Sequence, residues 1–269
     1  MTPLAALLDR VQRATIGYFW DGAHPVSGLA YDRRLTHGAA RNDLVSIGGS
    51  GFSFLAIIVG VSRGWLDRSQ ASARLLRMAQ FLEAVSRFRG AFPHFVNGAT
   101  GQVVPFSRYD DGGDLVETAL LLQGMICARQ YFDAEAGHEA ELRLTIGRII
   151  ETVEWDRYVR QPSGPLFWHW SPRHRWKMNL PIVGWNEGLC AYVLAAGAEG
   201  NAIAAECFHL GWAGGTLKNG NRYYGQTLPL GPAYGGPLFF AHAAFSALDP
   251  ARLSDRYCDY WQQNLAHAA

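Results

Sequence analysis

Lysine is nearly missing from this chain: only Lys177 and Lys218 occur in 269 residues, and arginine supplies the rest of the positive charge. Charge of either sign is scarce, at 17% of residues against ~25% in an average soluble protein. The formal balance is +1, so no basic surface marks a nucleic-acid binder. Cysteine is limited to Cys127, Cys190, Cys207 and Cys258. None of them has C-x-x-C spacing, which argues against a structural zinc site and for buried free thiols. An apolar run of ~18 residues, the length needed to span a bilayer, is absent. The opening stretch Met1–Arg10 has no basic n-region and its apolar run breaks at Asp9, so it does not read as a signal peptide. No heptads, low-complexity tract or linker interrupts the chain, which reads as one domain over residues 1–269.

Apolar residues are abundant, at 49%, so the chain has the means to bury a core. Their spacing is helical almost everywhere. Leu4, Leu7, Leu8, Val11, Ile16 and Phe19 line one stripe. Further helices are expected over 52–61, 67–88, 112–132, 138–159, 185–197, 201–213, 236–247 and 252–266. Gly101–Phe106 is the best strand candidate, as one arm of a small hairpin. The loops at 21–51, 89–111, 160–184 and 214–235 exceed the ~2–8 residues usual between bundle helices, and loops of that length commonly carry function. Nine or so helices with long loops predict an all-α fold, an α/α barrel or toroid rather than a simple bundle.

Ile47-Gly-Gly-Ser-Gly-Phe52 fits neither a nucleophile elbow nor a phosphate loop and reads as a tight helix start. The nine histidines form no H-E-x-x-H, so no metal site is expected from them. The carboxylates are more informative. Tyr109-Asp-Asp-Gly-Gly-Asp-Leu-Val-Glu117 places four acids at the entry to an apolar helix. Helix capping accounts for Asp110 and Asp111. It suits Glu117 less well, because an acid followed at once by Thr118–Leu122 needs a polar cavity or a partner. Gly184-Trp-Asn-Glu-Gly188 is a second acid site at a second helix entry. Trp20, Trp168, Trp170, Trp176, Trp185, Tyr109 and His94 accompany the two. Flat rings beside carboxylates suit a carbohydrate, whose C–H faces pack on the rings while its hydroxyls bond to acids and amides. Cleaving a glycosidic bond needs such a pair of acids.

Several stretches taken together resemble a known family. They are Tyr18-Phe-Trp-Asp21, Ser27-Gly-Leu-Ala-Tyr-Asp-Arg33, Ser46–Phe52, Gly90-Ala-Phe-Pro-His-Phe95, Asp110–Thr118, Ala128–Phe132, Trp168-His-Trp170, Gly184–Glu187 and Leu248-Asp-Pro250. In this order they resemble the bacterial glucoamylase-like domain of glycoside hydrolase family 144, the endo-β-1,2-glucanases. The resemblance implies an (α/α)6 barrel and inverting hydrolysis of β-1,2-glucan to sophorooligosaccharides without a cofactor. It implies a periplasmic or secreted setting, while the near-neutral charge and the lack of a long apolar run give no expectation of a nucleic-acid or membrane partner. Glu187 is expected to be the general acid, with Asp114 and Glu117 beside it in the pocket. Asp32, His94, Tyr109, Asp111, Trp168, His169, Trp170, Trp185 and Asn186 are expected to contact the glucan.

Relative to that family the chain stops early, with nine of twelve barrel helices. The expectation is therefore an incomplete ring with an exposed apolar seam through which the chain associates. The seam would join Leu4, Leu8 and Val11 to Phe239, Phe240, Phe245, Tyr257 and Trp261. A glycan-binding module without turnover, or a transglycosylating domain like that of cyclic β-1,2-glucan synthases, is the alternative.

Overall fold

The computed structural model describes residues 2–33, 35, 42–214 and 218–269. Parts of the long loops expected at 21–51 and 214–235 lie outside them. The chain divides into two compact units, residues 1–153 with 171–173, and residues 154–170 with 174–269. The first is mainly helical, as the periodicity requires, and the second joins short helices by long irregular segments.

The first unit holds α1 (Pro3–Trp20), α2 (Ile47–Ser62), α3 (Arg68–Ala84), α4 (Leu115–Tyr131) and α5 (Gly137–Glu151). Side-chain caps set four of the starts, the first being Thr2, which accepts from the Ala5 amide before α1. Ser46 accepts from the Gly49 amide before α2, Asp67 from Gln70 before α3, and Asp114 from Val116 and Glu117 before α4. α2 and α4 bury residues on most of their circumference, including Ile47, Phe54 and Ile57 on one, and Leu115, Leu121 and Met125 on the other. Helices this apolar belong inside a fold. Each large aliphatic side chain so buried contributes roughly 1.5–3 kcal/mol. The two helices cross with backbone against backbone. A Cβ at Gly51 would overlap the Leu120 carbonyl, and one at Gly124 would overlap the Gly51 carbonyl. α3 and α5 pack together and keep a charged outer face, where Arg68 pairs with Glu139 at 2.8 Å and Arg148 with Glu83 at 2.6 Å.

A small antiparallel sheet in the order β1 (Leu44–Ser46), β2 (Phe95–Asn97), β3 (Val103–Val104) completes the first unit. β3 is the expected hairpin arm, and β2 is its partner. β1 runs straight into α2, and its register sets Ser46 opposite Phe95. The sheet therefore fixes His94, one residue before β2, beside the start of α2, where the His94 carbonyl accepts from the Ile47 amide.

The second unit holds α6 (Leu189–Ala196), α7 (Ala205–Leu210), α8 (Phe239–Phe245) and α9 (Tyr260–Ala268), with 3-10 turns at Trp155–Tyr158 and Pro250–Arg252. Its helices are short and its core is aromatic. Trp212 is fully buried, with Phe208 stacked on it at 5.5 Å and Trp185 tilted against it at 5.8 Å. Tyr192 ties three segments together, accepting from the Leu166 amide and donating to the Ile182 carbonyl.

Several helix boundaries differ from expectation. The helix expected over 67–88 ends at Ala84, because Val85 turns extended. The one expected over 138–159 breaks after Glu151, leaving Trp155–Tyr158 as a separate turn with Trp155 in the core. The last helix begins only at Tyr260, where Asp259 caps it. A hairpin pairing Arg222–Tyr223 with Gln226–Thr227 was not expected; its two-residue tip, Tyr224-Gly225, has positive φ at both positions. All four cysteines are free, but only Cys190 and Cys207 are buried, while Cys127 and Cys258 are half-buried. Among the described residues no helix is long and apolar enough to cross a membrane.

Candidate active site

The first unit gathers His94, Asp110, Asp114 and Glu117 where α4 starts beside α2. Asp114 is fully buried and uses both carboxylate oxygens. Oδ1 accepts from the Val116 and Glu117 amides at 3.0 and 2.9 Å, and Oδ2 accepts from His94 Nδ1 at 2.8 Å. Its own amide donates to the Phe92 carbonyl. That last bond changes what Glu117 can do. Asp114 and Glu117 have the spacing of a capping box, in which the second acid would turn back to the cap's amide. Because Phe92 already holds that amide, Glu117 reaches across to α2 instead. Its Oε2 accepts from the Gly48 amide at 2.7 Å and from the Ser46 hydroxyl at 3.3 Å.

Glu117, His94 and Asp110 each titrate away from their ordinary range. Burial first, then the charge of Asp114, pushes the Glu117 carboxyl up to about 7; protonated His94, the Gly48 amide and the Ser46 hydroxyl oppose the rise. Burial lowers the His94 pKa, but the hydrogen bond to Asp114 and the charges of Asp114, Glu117 and Asp110 outweigh it, and the imidazole rises to about 9. Burial and then Asp114 push Asp110 up to about 6. The His94 ring packs against Phe95 and Phe106, each at 4.4 Å between centroids, which fixes its direction. Ligand atoms of His94, Asp110 and Asp114 lie within 4.8 Å of one another. With Asp114 saturated by two amides and an imidazole, we read the group as a hydrogen-bonded charge network and not as a ligand set.

Asp110 corrects the sequence reading. The cap of α4 is Asp114, and Asp110 lies in the preceding turn, where its amide donates to the Ser107 carbonyl and its residue is 6% exposed. Only the acidity of the Asp110–Glu117 run hinted at its part in the network. Gly48 is expected only as part of a tight helix start, and Ser46 carries no expected role in the site. Tyr109 lies beside the network in sequence, half-buried under the Arg108 guanidinium, and Asp111 is half-buried. Asp32 accepts from its neighbour Arg33 at 2.6 Å.

The second unit carries the other expected residues. Glu187 stands in a turn before α6, not in the helix, and Asn186 shapes that turn by accepting from the Gly188 amide and donating to the Val183 carbonyl. Trp185 is 5% exposed, with Phe245 and Tyr260 stacked on it at 6.3 Å, so its ring packs the core and does not stand open to a ligand. Trp168 is half-buried, and His169 and Trp170 are buried.

Residues 179–269 match the family model described as "Putative glucoamylase". The exo β-1,2-glucooligosaccharide sophorohydrolase (non-reducing end) of Parabacteroides distasonis is 40% identical over 96% of this chain, which spans 38% of that protein. An endo-β-1,2-glucanase from Chitinophaga pinensis, solved with sophorotriose and glucose, is 43% identical over 99% of this chain, with a TM-score of 0.94. A structure titled as a putative glucoamylase from Bacteroides uniformis is 42% identical over 99% of this chain, also at 0.94. The chain spans 66% and 65% of those two solved chains. In sequence and in backbone, then, this chain is similar to an exo- and an endo-acting β-1,2-glucan-cleaving enzyme over nearly all of its own length.

Proposed function

We propose that the chain acts as a glycoside hydrolase on β-1,2-glucan, using carboxyl groups alone as acid and base. The observation that carries this is Glu117: a buried carboxyl with one oxygen fixed, raised to about 7 by burial and by Asp114. A carboxyl near neutral pKa can hold or release a proton at working pH, as general catalysis demands. In the cleavage the C1–O bond breaks, a protonated acid delivers its proton to the departing oxygen, and a water oxygen bonds to C1 as a base takes its proton. We assign the acid to Glu187 from its motif and the base to Glu117, with Asp114 and His94 setting the charge around Glu117. Asp32, Tyr109, Asp111, Trp168, His169, Trp170 and Asn186 are the proposed glucan contacts.

The TM-scores of 0.94 support reading the helices as those of an (α/α)6 toroid. The proposed association surface is supported by exposed Leu4, Leu8 and Val11 on α1, and by exposed Phe239 and Trp261. Phe240, Phe245 and Tyr257 are half-buried and contribute less.

Incubating the chain with linear β-1,2-glucan, while following new reducing ends and, in parallel, binding, tests the function. Product release supports the hydrolase. Binding without new reducing ends identifies a glycan-binding module and overturns it.

A further inference from the structure

The contact between Glu117 and the start of α2 bears on which of its two oxygens can act. Oε2 accepts from two donors, the Gly48 amide at 2.7 Å and the Ser46 hydroxyl at 3.3 Å. Ser46 donates its single hydrogen to the Glu117 carboxylate, while its Oγ accepts from the Gly49 amide at 3.1 Å. An oxygen that faces two donors has no room for a proton of its own. Oε1 has no protein partner among the described residues, and Glu117 keeps some exposure. Space is as restrictive as bonding. A methyl at position 48 would stand 2.7 Å from Oε2 and 3.0 Å from Cδ, so an alanine there would push the carboxylate off the amide.

We infer that Ser46 and Gly48 are positioning residues for Glu117: they pin Oε2 at the first turn of α2, so that the exchangeable proton of this carboxyl is carried by Oε1 alone. The inference rests on the proposed hydrolase for its use in catalysis, but not for its test. The other groups facing Glu117 are Asp114, at the cap of its own helix, and His94, before β2, with Asp110 acting on both through charge. Asp114 raises the Glu117 pKa and His94 lowers it, and neither touches Oε2. The two donors at α2 favour the charged carboxylate, an effect that the positive end of the helix reinforces.

The Glu117 midpoint is read directly by carboxyl-carbon NMR titration of the full 269-residue chain and its variants. Ser46→Ala and Gly48→Ala are each expected to raise it, by about one pH unit for the loss of one hydrogen bond to a charged group. Ser46→Thr, which keeps the hydroxyl, is expected to restore the parental value. A residue that merely caps α2 would change the melting temperature and leave the midpoint in place. A folded Ser46→Ala variant with the parental midpoint, or a Ser46→Thr variant that fails to restore it, overturns the inference. If Gly48→Ala does not fold, the Ser46 pair still decides. Where the parent cleaves β-1,2-glucan, the limb of the rate profile set by Glu117 moves with the midpoint. Where it does not, the hydrolase reading fails while the titration still judges the positioning.

Discussion

Glu117 sits in the first turn of α4, three residues after Asp114, and its carboxylate crosses to the backbone of α2. Glu187 sits in a turn that closes before α6, a helix whose cap position is Gly188 and which has no side-chain cap. The backbone carbonyl of Glu187 is tied to the helix through the Cys190 thiol. Around Glu117, the Phe92 carbonyl already holds the Asp114 amide, and that frees the second acid for a long-range contact. Around Glu187 a loop residue, Asn186, does the shaping. One acid is therefore held by two helices in backbone contact, the other by a turn. Catalytic geometry is more strictly kept on the first kind of support than on the second.

The largest expected effects test whether both acids are needed. Glu117→Gln and Glu187→Gln each keep the side-chain shape and abolish proton transfer. In a folded variant each is expected to lower the rate of β-1,2-glucan cleavage by ~10²–10⁴, measured as reducing ends per unit time. A Glu187→Gln variant near the parental rate would remove the turn-borne acid from the chemistry and leave the helix-borne cluster to account for it. A Glu117→Gln variant near the parental rate would do the reverse.

Next in size is the support itself. Gly51→Ala adds a methyl where the α4 backbone already lies. The expected loss is at the upper end of the ~1–3 kcal/mol typical of overpacking, read as a lower urea midpoint. Gly147→Ala in α5 is the control, because nothing lies within 4 Å of a Cβ there. It is expected to gain ~0.5–1 kcal/mol, since alanine costs less helix entropy than glycine. Equal and small effects at the two sites would mean that α2 and α4 have slack, and that Glu117 is not rigidly supported.

Much of this was legible in the chain itself. The apolar stripes located nine helices, and Glu117 stood out because an acid beside Thr118–Leu122 demands a partner. Which partner was not legible. Ser46 lies 71 residues away, and nothing in Ile47–Phe52 distinguishes a glycine that starts a helix from one that admits a carboxylate. Asp110 was hidden for a related reason: a buried acid in a turn and a surface acid near a helix start have the same sequence signature. The extra strand β1 is three residues long, too short for alternation to register. Trp185 shows the limit of reading aromatics by neighbourhood, since its proximity to Glu187 in sequence says nothing of the rings that cover it.

The smallest expected effect concerns the charge that Asp114 imposes on its surroundings. Asn is as good a helix cap as Asp, so Asp114→Asn leaves α4 capped while removing the negative charge and the acceptor that hold His94 protonated. The His94 midpoint is expected to fall from about 9 by ~1 unit or more, followed by its ring-proton shifts. Stability should follow. A histidine raised above its ordinary value of ~6.5 gives a stabilisation fully present below that pH and lost as pH rises through about 9. Glu117 acts in the same direction but in a lower window: its raised carboxyl costs stability increasingly from pH 4.5 up to about 7 and adds no further change above that. Chemical denaturation between pH 7.5 and about 10 therefore isolates the histidine. Over that window the parent should lose its advantage over Asp114→Asn, by an amount on the order of 2 kcal/mol. A gap that stayed flat would mean that His94 is not held protonated, and that the first unit keeps its acids in place by burial and backbone amides alone.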